Sequence, residues 1–85
     1  MFTVELRPEA ISDLEKLDKP IAQRILKKLK WFSENFEMMT PLTLYGQWKG
    51  KYKLVVGDYR VIYTVNYTEK RITVHLIGHR KEIYR

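Results

Sequence analysis

The sequence of 85 residues contains no cysteine. Disulfide bridges, a thiolate zinc site and a cysteine nucleophile are therefore excluded, and this composition favours a reducing cytoplasmic location. Long hydrophobic runs are missing as well. The longest uncharged stretch, from Met38 to Trp48, has 11 residues, whereas a membrane-spanning helix needs ~20 apolar ones. We therefore expect no membrane partner.

Metal ligands and phosphate-binding loops are also scarce. His75 and His79 are the only histidines, and Asp58 is the only acidic residue within 41–68. Asp58 is better explained as a turn residue, so a zinc site and the carboxylate cluster of a two-metal nuclease are both poorly supplied. The glycines lack the spacing of a phosphate-binding loop. We expect no metal and no cofactor.

Positive charge is concentrated in the second half of the chain. Residues 1–40 carry seven Lys/Arg and seven Asp/Glu, whereas residues 41–85 carry nine Lys/Arg and three Asp/Glu, so the whole net charge of +6 lies after residue 40. A positive field on one part of a small domain favours a polyanionic partner, which is either a nucleic acid or an acidic protein.

The periodicity predicts one α+β domain over residues 1–85. Alternating residues 2–6 predict a strand, residues 8–17 and 20–36 predict two helices in an αα-hairpin, and a period of two returns later. The expected order is β-α-α-β-β-β with a short C-terminal tail after Gly78, either extended or one helical turn. The expected antiparallel meander packs on the helices, and its strands span 52–56, 59–66 and 71–78.

The register of the meander predicts two different sheet faces. Gly57-Asp58 is a two-residue hairpin signal, and a turn there places Val56 opposite Tyr59 on one face of the sheet. Lys53 and Arg60 then lie together on the other face. The helices should cover the apolar face. In the third strand, strict alternation assigns residues 72, 74 and 76 to the covered face and residues 73, 75 and 77 to the open one.

Residues able to bind or cleave RNA lie on or beside the open face. RNA can be cut without a metal because its own 2′-OH can attack the neighbouring phosphate. The protein must then align the RNA backbone, stabilise the charge that develops on the phosphate and move two protons. Arginine forks suit phosphate oxygens. A basic face that only binds RNA would have a similar composition. The candidates are Lys49, Lys51, Lys53, Arg60, His79, Arg80, Lys81 and Tyr84.

Two motifs carry a family resemblance. Residues 44–63, with the hairpin GDYRVIY, and residues 77–84, with GHRKEIY, closely resemble toxins of the RelE/ParE superfamily, and the helices match in order and length. The resemblance implies the RelE-like microbial RNase fold and a type II toxin–antitoxin system. In the RelE branch it implies a cytoplasmic endoribonuclease that cleaves mRNA in the ribosomal A site. The implied partners are a RelB-like antitoxin, mRNA and rRNA.

The same resemblance assigns roles to individual residues. Arg60 and Arg80 match family arginines that contact phosphate in the transition state, and Tyr84 matches a tyrosine that activates the 2′-OH or positions the base. Lys53 matches the first of two basic residues on the preceding strand. Together these four form the implied catalytic set, and the implied RNA-binding residues are Lys49, Lys51, His79 and Lys81.

One departure leaves the activity open. Val55 stands where the second basic residue is expected, so Lys51 could substitute for it, or His79 could carry part of the proton transfer. Reduced cleavage is an alternative outcome. Two other functions stay open as well: a ParE-like inhibitor of DNA gyrase that is not an enzyme, and a decayed toxin that retains only antitoxin binding.

Overall fold

The computed structural model describes residues 1–84; Arg85, which ends the predicted C-terminal tail, lies outside the described residues. The predicted α+β order is confirmed, with one short additional strand before the meander. The tail forms one helical turn, because the amides of Glu82 and Ile83 both donate to the carbonyl of His79, each at 2.9 Å. The elements are β1 (Thr3–Leu6), α1 (Pro8–Glu15), α2 (Lys19–Asn35), β2 (Leu42–Thr43), β3 (Tyr52–Val56), β4 (Tyr59–Asn66) and β5 (Arg71–His79).

The strands form one mixed sheet in the order β1-β5-β4-β3-β2. Strand β1 pairs with β5 in parallel, and the other neighbours are antiparallel. The predicted hairpin register is also confirmed, since Val56 lies opposite Tyr59 and Tyr52 lies opposite Tyr63. Gly57 has φ = +59° in the turn, a left-handed conformation that glycine adopts without steric cost. The glycine-led turn therefore fixes which side chains share each face.

The helices begin and pack as their sequence patterns predict. Pro8 occupies the first turn of α1, where its missing N–H leaves no helical bond unmade. In α2, Ile25, Leu29 and Phe32 recur at helical spacing and are buried against the sheet. At the start of α1, the amide of Ile11 donates to the carbonyl of Arg7 at 3.0 Å. The helices thus cover one face of the sheet. On the other, the open face, Ile62 is nevertheless fully buried.

Aromatic rings fill the core between α2 and the sheet. Phe32 packs edge-on against Phe36 and Tyr63, each at 5.2 Å between ring centroids. Phe2 approaches Phe36 at 4.7 Å, and Tyr52 stacks on Tyr63 at 5.7 Å. Edge-to-face and offset pairs of this kind add stabilisation beyond the area that they bury.

Tyr63 carries an unpaired buried hydroxyl and supplies a first prediction. Within residues 1–84 its Oη has no hydrogen-bond partner, and burial raises the pKa of this phenol well above its usual value. Because an unsatisfied buried polar group is costly, Tyr63→Phe is expected to raise the free energy of unfolding by about 1 kcal/mol. Urea denaturation measures the change. Tyr67→Phe, at an exposed ring, is the matched control and should have little effect, and a loss of stability in Tyr63→Phe would contradict the prediction.

A bulge corrects the predicted faces of β5. Ile62 lies opposite Leu76, but Tyr63 lies opposite Val74, so His75 is an extra residue in its strand. Beyond the bulge the alternation is reversed. Ile77 is buried in the core at 3% exposure, whereas Leu76 shares the open face with Ile62. The prediction that residue 76 faces the helices and residue 77 the open side was therefore wrong.

None of the helices within residues 1–84 combines the length and the apolar character that crossing a bilayer requires.

Candidate functional site

The open face of the sheet presents its side chains in cross-strand rows. Val55 on β3, Arg60 on β4 and Gly78 on β5 form one row. Lys53, Ile62 and Leu76 form the next. Since paired residues of neighbouring antiparallel strands lie on the same face, each row is a short line across the sheet, and the first two rows bring Arg60 and Lys53 onto one surface as predicted.

Arg60 is held by the hairpin that precedes it. Its Nη1 donates to the carbonyl oxygens of Gly57 at 3.1 Å and of Tyr59 at 3.0 Å. These bonds fix one edge of the guanidinium group. Within residues 1–84, Nε and Nη2 of Arg60 make no hydrogen bond or ion pair, so part of the planar fork remains available for an anion.

Arg80 reaches the same turn from the end of β5. Its backbone amide donates to the carbonyl of Asp58 at 2.8 Å, and its Nε lies 3.7 Å from Oδ1 of Asp58. The pair is exposed, and such ion pairs contribute little stability, so a phosphate can displace the carboxylate at low cost. Two guanidinium groups from distant parts of the chain therefore each contact the Gly57–Asp58 turn.

A third arginine beside this turn was missed by the sequence analysis. The guanidinium group of Arg24, on α2, lies against Gly57, and a β-carbon at Gly57 would collide with it. In the sequence, Arg24 falls on the side of the second helix opposite its apolar positions. Its position is set by how α2 packs across the sheet, and no local motif in the chain signals that contact.

Lys53 and Arg60 are diagonal neighbours on the open face, because Lys53 lies opposite Ile62, two residues beyond Arg60. Such diagonal positions are about 7–8 Å apart, a distance that one phosphodiester group can bridge with the two side chains. Lys51 continues the line of Lys53. The structure places Val55 beside Arg60 with 38% of its surface exposed, so an apolar side chain does occupy this position of the face.

The C-terminal turn folds over one end of the open face. A β-carbon at Gly78 would lie 3.0 Å from Cδ1 of Ile83, so glycine permits the turn to approach the sheet closely. The ring of Tyr84 packs edge-on against Trp48 at 6.2 Å. These contacts set Tyr84 beside the loop that leads to Lys49 and Lys51. Lys49 and Lys81 are both exposed.

His79 does not join this surface. It pairs with Tyr59, and its ring packs edge-on against the Tyr59 ring at 5.4 Å. A cavity of about 330 Å³ beside it is lined by Asp13 of α1 and by Lys16, which follows that helix. The imidazole Nδ1 accepts a hydrogen bond from the amide of Lys81 at 3.1 Å. The structure thus places His79 on the helix side of the sheet, away from Arg60, because the bulge in β5 reverses the alternation.

The arrangement can bind and polarise a phosphodiester. Arg60 and Arg80 offer guanidinium donors, Lys53 offers an ammonium group, and Tyr84 carries a hydroxyl group on the C-terminal turn, where its ring packs against Trp48. These groups match what in-line phosphoryl chemistry requires of a protein: positioning and charge stabilisation. Within residues 1–84, no group of three or more His, Asp or Glu side chains is placed to hold a metal ion.

Comparison with known proteins identifies the family of the chain. Residues 4–84 match the ParE toxin family of type II toxin–antitoxin systems. No curated protein sequence matches the chain.

Solved structures share the fold across nearly the whole chain. The RelBE2 toxin–antitoxin complex of Mycobacterium tuberculosis matches with a TM-score of 0.82 at 21% identity, over 93% of this chain and 98% of that chain. The archaeal RelE–RelB complex of Pyrococcus horikoshii matches with a TM-score of 0.71 at 26% identity, over 95% and 97%. The isolated RelE toxin of E. coli matches with a TM-score of 0.75 at 23% identity, over 99% and 92%. With the family match over residues 4–84, the chain belongs to the ParE toxin family, within the RelE/ParE superfamily of type II toxin–antitoxin systems.

Proposed function

We propose that this protein is a toxin that cleaves mRNA in the ribosomal A site and that a RelB-like antitoxin neutralises it. The single observation that carries the proposal is the convergence of Arg60 and Arg80 at the Gly57–Asp58 turn, with Lys53 on the same sheet face. Two guanidinium groups and an amine around one surface form a site for a phosphodiester. The proposed partners are the antitoxin, mRNA and rRNA.

The proposed reaction uses the substrate's own hydroxyl. The 2′-oxygen attacks the adjacent phosphorus, the P–O2′ bond forms and the P–O5′ bond breaks, leaving a 2′,3′-cyclic phosphate and a 5′-hydroxyl. One proton leaves the 2′-OH and one is delivered to the departing 5′-oxygen. Arg60 and Arg80 stabilise the charge on the phosphoryl oxygens, and Lys53 holds the backbone. Tyr84 and Lys51 are the groups that we propose to move the protons.

The antitoxin partner rests on two supports. The matched family consists of toxins from toxin–antitoxin pairs, and two of the similar structures are complexes of a toxin with its antitoxin. The net charge of +6 on this chain suits a partner that presents acidic groups.

A second candidate function is inhibition of DNA gyrase. Val55 favours it, because this apolar side chain is exposed on the open face beside Arg60, where a nuclease would gain from another cation. In that function the basic residues would dock the toxin on its target, and no bond would be cleaved.

One experiment separates the two functions. The protein is expressed alone from an inducible promoter, and cuts in a translated reporter message are mapped by primer extension. We expect growth arrest and cuts spaced by the codon period, which appear only in the translated region. A supercoiling assay with purified gyrase is run in parallel. Inhibited gyrase together with intact messages would refute the nuclease proposal and support the gyrase reading.

A further inference from the structure

A cavity of about 570 Å³ lies on the open face, toward the β1 edge of the sheet. It is separate from the arginine cluster at the hairpin turn and shares no lining residue with it. Its polar lining combines two carboxylates, a guanidinium group, two hydroxyls and an imidazole. These belong to Glu5, Arg7, Glu9, Thr64, Thr73 and His75.

The floor of the cavity is organised by one hydrogen bond. Oγ1 of Thr64 and Nε2 of His75 lie 2.8 Å apart across the β4–β5 ladder. His75 is the extra residue of the bulge, which turns a side chain in mid-strand toward this cavity. Bulges frequently re-aim a side chain near a functional site. The position of the imidazole is therefore built into the strand pairing.

The surroundings of the His75 imidazole favour its neutral form. Burial lowers the pKa of His75 below its ordinary value, and the positive charges of Lys51 and Arg7 lower it further, while Glu9 opposes them. A neutral imidazole offers one N–H donor and one acceptor nitrogen. With the hydroxyls of Thr64 and Thr73, the cavity floor can give and accept hydrogen bonds.

The two carboxylates of the lining disfavour a second phosphate site, and the mixture of polar groups favours a nucleobase. Glu5 and Glu9 repel phosphate, but a carboxylate accepts hydrogen bonds from the amino and imino groups at a base edge. Arg7 donates to base carbonyl oxygens and ring nitrogens. Alternating donors and acceptors of this kind suit the edge of an unpaired base, which is how single-stranded RNA is read.

We propose that this cavity is a base-reading subsite, in which Glu9, Thr64 and His75 hold the edge of the nucleobase next to the linkage bound by Arg60 and Arg80. The inference rests on the proposed nuclease function and specifies what selects the cleavage position. His75 lies three residues before Gly78, the partner of Arg60, so the backbone positions of His75 and Gly78 are about 10 Å apart along β5. A dinucleotide can span both.

The test uses a ligand that the protein cannot cleave. Four 2′-deoxydinucleotides, each with a different second base, are titrated into the full-length protein while its ¹H–¹⁵N and His75 imidazole resonances are followed by NMR. We expect one base to bind about tenfold more tightly than the others, as one good base contact provides. The largest shifts should occur at Thr64, Thr73 and His75.

A matched pair of variants isolates the subsite. The first variant, Thr64→Val with Glu9→Gln, keeps the size of each side chain and removes one hydroxyl and one charge. It should abolish base discrimination, while the weak affinity for the phosphate remains. Thr68→Val with Glu34→Gln makes the same changes on exposed positions elsewhere and should leave discrimination intact. Equal binding of all four bases by the wild type, or unchanged discrimination in the first variant, would overturn the subsite.

The outcome is independent of cleavage, because the probes lack the attacking 2′-OH. Base-selective binding at His75 together with an absence of cuts in translated messages would refute the nuclease proposal and leave the subsite standing. Codon-periodic cuts together with unselective binding would refute the subsite alone.

Discussion

Replacing both Arg60 and Arg80 by alanine is expected to lower the rate of message cleavage by at least about 10³-fold. Each side chain presents preorganised donors to the phosphoryl oxygens, and removal of one such donor typically costs about 10²–10³-fold. The rate is measured under single-turnover conditions on stalled ribosomes programmed with a defined message. In cells, the double variant should no longer arrest growth.

The control for this prediction separates position from charge. Lys19→Ala with Lys30→Ala also removes two positive charges, but both residues are exposed on α2. The cleavage rate of this variant should stay within about threefold of the wild type, because solvent and salt screen exposed charges outside the site. Arg60→Lys with Arg80→Lys retains the charge without the planar fork, and it should recover only part of the activity. Full activity in the alanine double variant, with circular dichroism unchanged, would contradict the proposed site.

Phe32→Ala is expected to lower the free energy of unfolding by about 3–5 kcal/mol. The ring is 2% exposed and packs edge-on against Phe36 and Tyr63. Its removal therefore loses buried apolar area and both ring contacts, and it leaves a cavity between α2 and the sheet. Domains of this size have total stabilities of about 5–15 kcal/mol. The change is measured by urea denaturation, and it should leave the variant partly unfolded at 37 °C.

The neighbouring aromatic residue provides the control. Trp31 is 43% exposed, and its ring interacts with Nζ of Lys28 at 4.3 Å from the centroid, a contact worth about 0.5–1 kcal/mol. Trp31→Ala should therefore cost about 1 kcal/mol. Similar losses in Trp31→Ala and Phe32→Ala would show that the aromatic cluster does not dominate the stability of the core.

The hairpin and the helices could be predicted from sequence because their signals are local. Gly57-Asp58 fixes the β3–β4 register, so the placement of Lys53 and Arg60 on one face followed directly. Pro8 and the spacing of apolar residues along α2 fixed the helices in the same way. The two-residue strand β2 was missed because Leu42 and Thr43 are too few to show an alternating pattern.

The faces of β5 could not be predicted, because both Leu76 and Ile77 are apolar. Either can fill a core position, and only the bulge at His75, a property of the paired strands, decides between them. A one-residue shift moves every later side chain to the opposite face. The sequence grouped His79 with the residues of the open face. The same reversal places it on the helix side, where it pairs with Tyr59.

The contacts of Arg24 lay beyond sequence reasoning for a different reason. They join α2 to the hairpin turn, and the packing angle of a helix on a sheet depends on all the side chains between them. The sequence placed Arg60 and Arg80 among the cationic candidates, and the resemblance of two motifs assigned them a shared phosphate-contacting role. Their meeting at one turn became visible in the hydrogen bonds to Gly57 and Asp58.

The position of β5 in the sheet has a consequence for biosynthesis. The last strand in chain order lies between β1 and β4, so the sheet cannot close until Arg71–His79 has left the ribosomal exit tunnel. Contacts between β1 and β5 join residues about 68 positions apart, and such long-range pairing slows folding. Before β5 has emerged, β1 has no partner strand and Arg80 cannot reach the Gly57–Asp58 turn, so a partly synthesised chain cannot assemble the candidate site.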